Sequence, residues 1–212
     1  MGEIRVSNAA IKAVIYYFDG VIVDSREANE AYYNRLLKHF GLPAVQPEQL
    51  QMIYTRTSRE VIEVLFGDLS LAKAAQALEK TMDNDDITPM IKVEPHIKAT
   101  LQVLRNRYRT AIATNRGKSL PLVLEFNNLT GYFDLTVSSR QVQHPKPHPE
   151  CLEIILQKFS LVPDQVVYIG DAEIDARLAA AAGVPFIAYK NPSLSAWAHL
   201  SDHREILGIL EG

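Results

Sequence analysis

Four short stretches of the chain end in residues that could carry out phosphorus or metal chemistry. YYFDG places Tyr17 and Asp19 after an apolar run; ATNR brings Thr114, Asn115 and Arg116; HPKPHPE holds Lys146 between prolines; and VVYIGD ends in Asp171, with Asp175 four residues later. A hydroxyl beside an ammonium can hold a phosphate. Two carboxylates at (i, i+4) where a helix begins can ligate a hard cation such as magnesium. Taken together these residues describe a phosphoryl-transfer site. Each also has a plainer reading: Thr114 as the cap of a turn, Asp171 and Asp175 as an N-cap and a first-turn acid, and Lys146 as an exposed loop lysine.

Such residues meet only if the elements before them run side by side. Residues 11–25, IKAVIYYFDGVIVDS, read as a buried strand that runs out at Asp19-Gly20, with Asp24-Ser25 as the start of a helix. From about residue 97, short apolar runs alternate with amphipathic stretches. Strands are predicted over 110–114, 135–139, 166–171 and 185–189, with helices over 120–126 and 149–159 and an Ala-rich helix that ends at Gly183. This alternation implies an α/β fold, a Rossmann-like, doubly wound parallel sheet covered on both faces. Residues 25–94 break the rhythm and contain no convincing strand. Ala28, Tyr32, Leu36 and Phe40 lie four apart before Gly41-Leu42-Pro43, and two more helices fit residues 61–66 and 71–82. The expected organisation is a core of residues 1–24 and 95–212 with a helical cap, 25–94, inserted at the strand edge where such sheets bind ligands.

Composition narrows the function classes. With 22 Lys and Arg against 25 Asp and Glu the net charge is −3, and without a basic run nucleic acid is not an expected partner. The single cysteine, Cys151, excludes an internal disulfide and fits a reducing, cytoplasmic setting. The first ten residues interrupt any signal-peptide pattern with Glu3, Arg5 and Asn8, and no apolar run reaches membrane-spanning length, so no membrane role is expected. His144, His148, His199 and His203 show no evident third ligand, so no zinc site is assigned. The cluster Asp83, Asn84, Asp85, Asp86 lacks the spacing of a calcium loop and reads as a solvated linker.

In order and spacing, YYFDGVIVDS, ATN, KPHPE and YIGDAEIDARLAAAAGV together resemble the motifs of the haloacid dehalogenase-like superfamily, within it the capped phosphatases similar to phosphoglycolate phosphatase and β-phosphoglucomutase. The resemblance spans nearly the whole chain. It implies phosphate contacts from Thr114, Asn115 and Lys146, magnesium held by Asp19, Asp171 and Asp175, Asp19 as general acid and base, and weaker substrate contacts from Arg56 and Arg59 of the cap. The family's first motif reads Asp-x-Asp-Gly, and its first Asp, the nucleophile, falls here on Tyr17. A phenol with an ordinary pKa near ~10 is neutral at pH 7 and a poor ligand for a hard cation. The expectation is therefore a phosphatase-fold protein that binds phosphate or a small phosphorylated metabolite, with hydrolysis impaired or absent and magnesium affinity weakened. The alternative is an active magnesium-dependent phosphomonoesterase.

Overall fold

The computed structural model describes residues 10–82 and 86–211. The N-terminal stretch with Glu3, Arg5 and Asn8 and the acids Asp83 and Asp85 lie outside them. The first strand, β1 (Ala13–Tyr16), is buried at every position, as expected of a strand covered by helices on both faces. After it come β2 (Val23–Asp24), then α1 (Arg26–His39), α2 (Leu50–Thr55), α3 (Ser58–Phe66) and α4 (Leu69–Glu79), and β3 (Lys92–Val93). The chain then alternates α5 (Ile97–Leu104), β4 (Arg109–Thr114), α6 (Leu120–Phe126), β5 (Leu135–Ser138), α7 (Glu150–Phe159), β6 (Val166–Gly170), α8 (Glu173–Ala182) and β7 (Phe186–Tyr189). It closes with β8 (Ala198–Leu200) and α9 (Ile206–Glu211).

Six strands form one sheet in the order β5-β4-β1-β6-β7-β8, and every pair in it is parallel. The predicted doubly wound sheet is therefore present. From β1 the chain winds outward through β4 and β5, then returns to the other side of β1 and winds through β6, β7 and β8. The strand ends beside β1 thus form the crevice in which such sheets bind ligands. Register places Tyr16 level with Ile112 of β4 and Ile169 of β6, so Tyr17, Thr114 and Asp171 emerge at one edge.

Residues between β1 and α5 fold as the four α-helices α1 to α4 plus a feature the periodicity did not show. β2 and β3 pair antiparallel, Val23 with Val93 and Asp24 with Lys92, making a two-residue ribbon where the chain leaves and re-enters the sheet region. Strand pairs this short carry no periodicity to read. The helices have their own apolar cluster, including Leu36, Ile53, Val61, Ile62 and Phe66, separate from the cluster that covers the sheet. Helix α3 begins with Thr57 and Glu60 in a capping box and ends at Gly67, whose φ of 65° is the left-handed C-terminal stop glycine supplies without strain. α2, β8 and α9 were not foreseen; each spans six residues or fewer.

Candidate ligand-binding site at the sheet edge

Tyr17 is the first residue past β1, its backbone N–H donating to the Ile169 carbonyl at 2.8 Å. Its side chain is buried, and the Lys146 ammonium lies 3.2 Å from the ring centroid, a close cation–π contact. The phenol donates to the backbone carbonyl of Tyr54 at 3.2 Å. Burial, then the charges of Asp19, Asp175 and Asp171, hold this phenol well above its ordinary pKa, so it remains neutral. Beneath the ring, Lys146 donates to Asp175 at 2.6 Å and to the Tyr168 hydroxyl at 3.3 Å, and its own backbone N–H donates to Asn115 Oδ1 at 3.0 Å. Asp175, 0 % exposed, also accepts from the Tyr168 hydroxyl at 2.7 Å and the Ala172 N–H at 3.3 Å. It therefore fixes the lysine from below while the tyrosine covers it from above.

A second ion pair stands beside the first. Arg116 reaches back across the strand ends and grips Asp19, Nη2 to Oδ1 at 2.6 Å and Nε to the two oxygens at 3.0 and 3.1 Å. Ser25 donates to the same Oδ1 at 2.6 Å, which is why its side chain does not cap α1. Burial opposes the charge on Arg116, and Asp19 more than offsets it, so the guanidinium stays protonated. Sequence reasoning had placed Arg116 at the edge without giving it a role. The readable signal was a cation directly after the Thr-Asn pair at a strand end.

Asp171 is different from the other two acids. Its Oδ1 is buried and has no hydrogen-bond partner among the described residues. Burial first, and then the neighbouring Asp175, push its pKa up to about 7, with Lys146 pulling the other way. Its Oδ2 lies so close to Gly20 that a Cβ there would sit 2.2 Å away, and Gly20 has a φ of 84°; both facts restrict that position to glycine.

Over this edge, between the sheet and the helices, opens a cavity of about 630 Å³. Arg56, Lys80, Arg116, Lys118 and Arg140 face it against the acids Asp19 and Glu79, so its walls are net positive. Of the residues singled out from sequence, Tyr17, Asp19, Asn115 and Arg56 line it. Thr114, Lys146, Asp171 and Asp175 do not line it; Thr114 accepts from the Arg116 N–H at 3.0 Å, and Asn115 donates to the Thr55 carbonyl at 3.3 Å. Arg59 is a correction: it points outward from α3 and pairs with Glu63 at 3.0 Å, because its place on the helix faces solvent. A second correction concerns the histidines: His144 and His148 do have a third donor nearby, in Glu150.

Magnesium can be tested against these donors. The carboxylate of Asp19 is taken by Arg116 and Ser25 and that of Asp175 by Lys146 and Tyr168, leaving Asp171 as the acid with an unpaired oxygen. An ion that demands six oxygen ligands, placed between a guanidinium and an ammonium, does not fit this arrangement.

Residues 14–189 match the family described as haloacid dehalogenase-like hydrolase. The crystal structure of a HAD-superfamily hydrolase, subfamily IA, variant 1, from Geobacter sulfurreducens is 37% identical, covering 96% of this chain and 98% of that one with a TM-score of 0.78. The phosphorylated carbohydrates phosphatase of Thermotoga maritima is 26% identical over 179 residues, 82% of each chain. The phosphoglycolate phosphatase of Aquifex aeolicus is 22% identical over 198 residues, 92% of this chain and 90% of that one.

Proposed function

Because the chain belongs to the haloacid dehalogenase-like hydrolases, we propose that it is a phosphatase-like protein that binds phosphate or a small phosphorylated metabolite and hydrolyses it poorly or not at all. The observation that carries this reading is the Tyr17 ring, set between the Lys146 ammonium and the cavity and tied to the Tyr54 carbonyl. In the family pattern position 17 supplies the attacking carboxylate. A neutral phenol held far above its ordinary pKa lacks the ionised oxygen that attack on phosphorus needs. It also shields the lysine from any ligand in the cavity.

What remains is a surface that suits an anion. Arg116, Lys118, Arg140 and Arg56 line one cavity, and an anionic phosphoryl group entering it meets charge-assisted donors. Asp19, clamped by Arg116, is not free to move a proton unless that clamp opens. Asp175 serves in this reading as the anchor of Lys146, and magnesium affinity is weak because the donor set is already occupied. Residues 25–94 act as a cap over the sheet edge, with 1–24 and 95–212 as the core; the separate apolar cluster of the helices supports that division. The activities of its relatives, a phosphorylated carbohydrates phosphatase and phosphoglycolate phosphatases, put phosphorylated small molecules first among candidate ligands.

The test pairs binding with turnover. Calorimetry with inorganic phosphate should show saturable binding to the unaltered protein, while p-nitrophenyl phosphate is turned over at a barely detectable rate with or without magnesium. Tyr17→Asp should raise turnover of p-nitrophenyl phosphate at least a hundredfold, because it restores an ionised oxygen and uncovers Lys146 in one change. Ordinary enzymatic turnover by the unaltered protein, on the order of 1 s⁻¹ or faster, retained in Tyr17→Phe, would overturn the proposal.

A further inference from the structure

The loop that carries Lys146 has a second face, turned to solvent. HPKPHPE places His144 and His148 on either side of the lysine and Glu150 at the start of α7. Lys146 points inward, its side chain 1% exposed, and the two histidines point outward. The turn is closed by the His148 N–H donating to the Pro145 carbonyl at 3.1 Å, which brings the two imidazoles to a centroid separation of 4.6 Å. One donor atom from each of His144, His148 and Glu150 lies within 4.8 Å of the others.

We propose that His144, His148 and Glu150 form a surface binding site for a divalent transition-metal ion of the zinc class, independent of the phosphoryl pocket. Two imidazoles and one carboxylate are the donor set that borderline cations favour and magnesium does not. Glu150 is already set in place: its Oε1 accepts from the Gln143 N–H and its Oε2 from the His144 N–H, both at 2.8 Å. Those backbone bonds, with the neighbouring His144, hold its pKa below the usual range for a glutamate. His144 Nδ1 stands 3.1 Å from Glu150 Oε2, and the Glu150 N–H donates to His148 Nδ1 at 3.3 Å, so the lone-pair nitrogen of His148 faces the same corner of the loop as the carboxylate. The exposed position gives the ion an entry path and leaves its remaining coordination to water. Collecting ligands from residues 144, 148 and 150 ties the loop to the first turn of α7, so a bound ion stiffens the segment that holds Lys146.

The experiment is zinc titration of untagged protein at pH 7.5 by calorimetry, with hydrogen exchange at the Gln143, His144 and Lys146 amides as a second readout. One zinc ion per chain is expected, undisturbed by millimolar magnesium, with slower exchange at those amides. His144→Ala and His148→Ala should each weaken binding at least tenfold and abolish the exchange change, while His199→Ala leaves both intact. Both altered histidines are exposed, and matching thermal melts in EDTA would establish that each variant is folded; His148→Gln is the substitute if His148→Ala is not. Absence of zinc binding up to millimolar metal, or binding equally strong in the folded histidine variants, overturns the site.

Discussion

Arg116 holds the Asp19 carboxylate with two of its nitrogens, Nε and Nη2, at a position where both side chains are about 10% exposed. Removing one member of such a pair strands the other. Arg116→Gln is therefore expected to cost about 3 kcal/mol in urea unfolding, and to weaken phosphate binding at least tenfold by calorimetry. Adding Asp19→Asn should recover much of the lost stability, since the stranded charge is then gone, but none of the phosphate affinity. Asp171 makes a prediction of the opposite sign. Its pKa rises from an ordinary 3.8 to about 7 on folding, so between those pH values the folded state holds a proton that unfolding releases. Stability therefore falls as pH rises through that window, and the penalty is complete above pH 7. Asp171→Asn removes it: the variant should melt several degrees higher at pH 8.5 and nearly level with the unaltered protein near pH 4.

At the scale of elements, the turn after β1 is set from the far end of the chain. His203, in the short turn before α9, is fully buried, donates from Nε2 to the Val21 carbonyl at 2.8 Å and stacks on Tyr189 of β7 with ring centroids 4.3 Å apart. The C-terminal turn thus fixes the loop that presents Asp19 and Gly20. Burial lowers the His203 pKa from 6.5 to about 4, against the pull of the Val21 bond. The unfolded chain takes up a proton below pH 6.5 that the folded one refuses. Stability present above pH 6.5 is lost progressively down to about 4, by at most about 3 kcal/mol. His203→Gln keeps a donor for Val21 and does not titrate. Its unfolding free energy should fall less steeply than that of the unaltered protein between pH 6.5 and 4, and equal slopes would remove His203 from the account.

Across the whole molecule, the helices are held to the sheet at the end of α2. A six-residue helix leaves its last carbonyls without intrahelical partners, and two of these, on Tyr54 and Thr55, accept from Tyr17 and Asn115 of the sheet side. Tyr17→Phe keeps the ring over Lys146 and deletes one of these bonds. It should speed hydrogen exchange in α2 several-fold while lowering global stability by only about 1 kcal/mol. Much of this architecture was legible in the sequence, since buried parallel strands are continuous apolar runs and helices of eight or more residues show their period. The two-residue ribbon, the edge strand β8 and α2 were not legible, because elements that short carry no period and form only where a neighbour completes them. The gathering of Asp19, Thr114, Asn115, Lys146, Asp171 and Asp175 was expected from sequence too, as each stands at the end of a strand or in the connection that follows one, and strand ends in a parallel sheet share an edge. Their division of labour did not. Whether a lysine faces a ligand or an aspartate, whether an acid is free or clamped by an arginine 97 residues away, and whether two histidines find a glutamate, depend on distances between side chains remote in sequence or folded back by a turn. Sequence determined the residue types and the strand ends that carry them; only the tertiary structure decided which charges pair, because pairing falls off within a few ångströms that chain spacing does not encode.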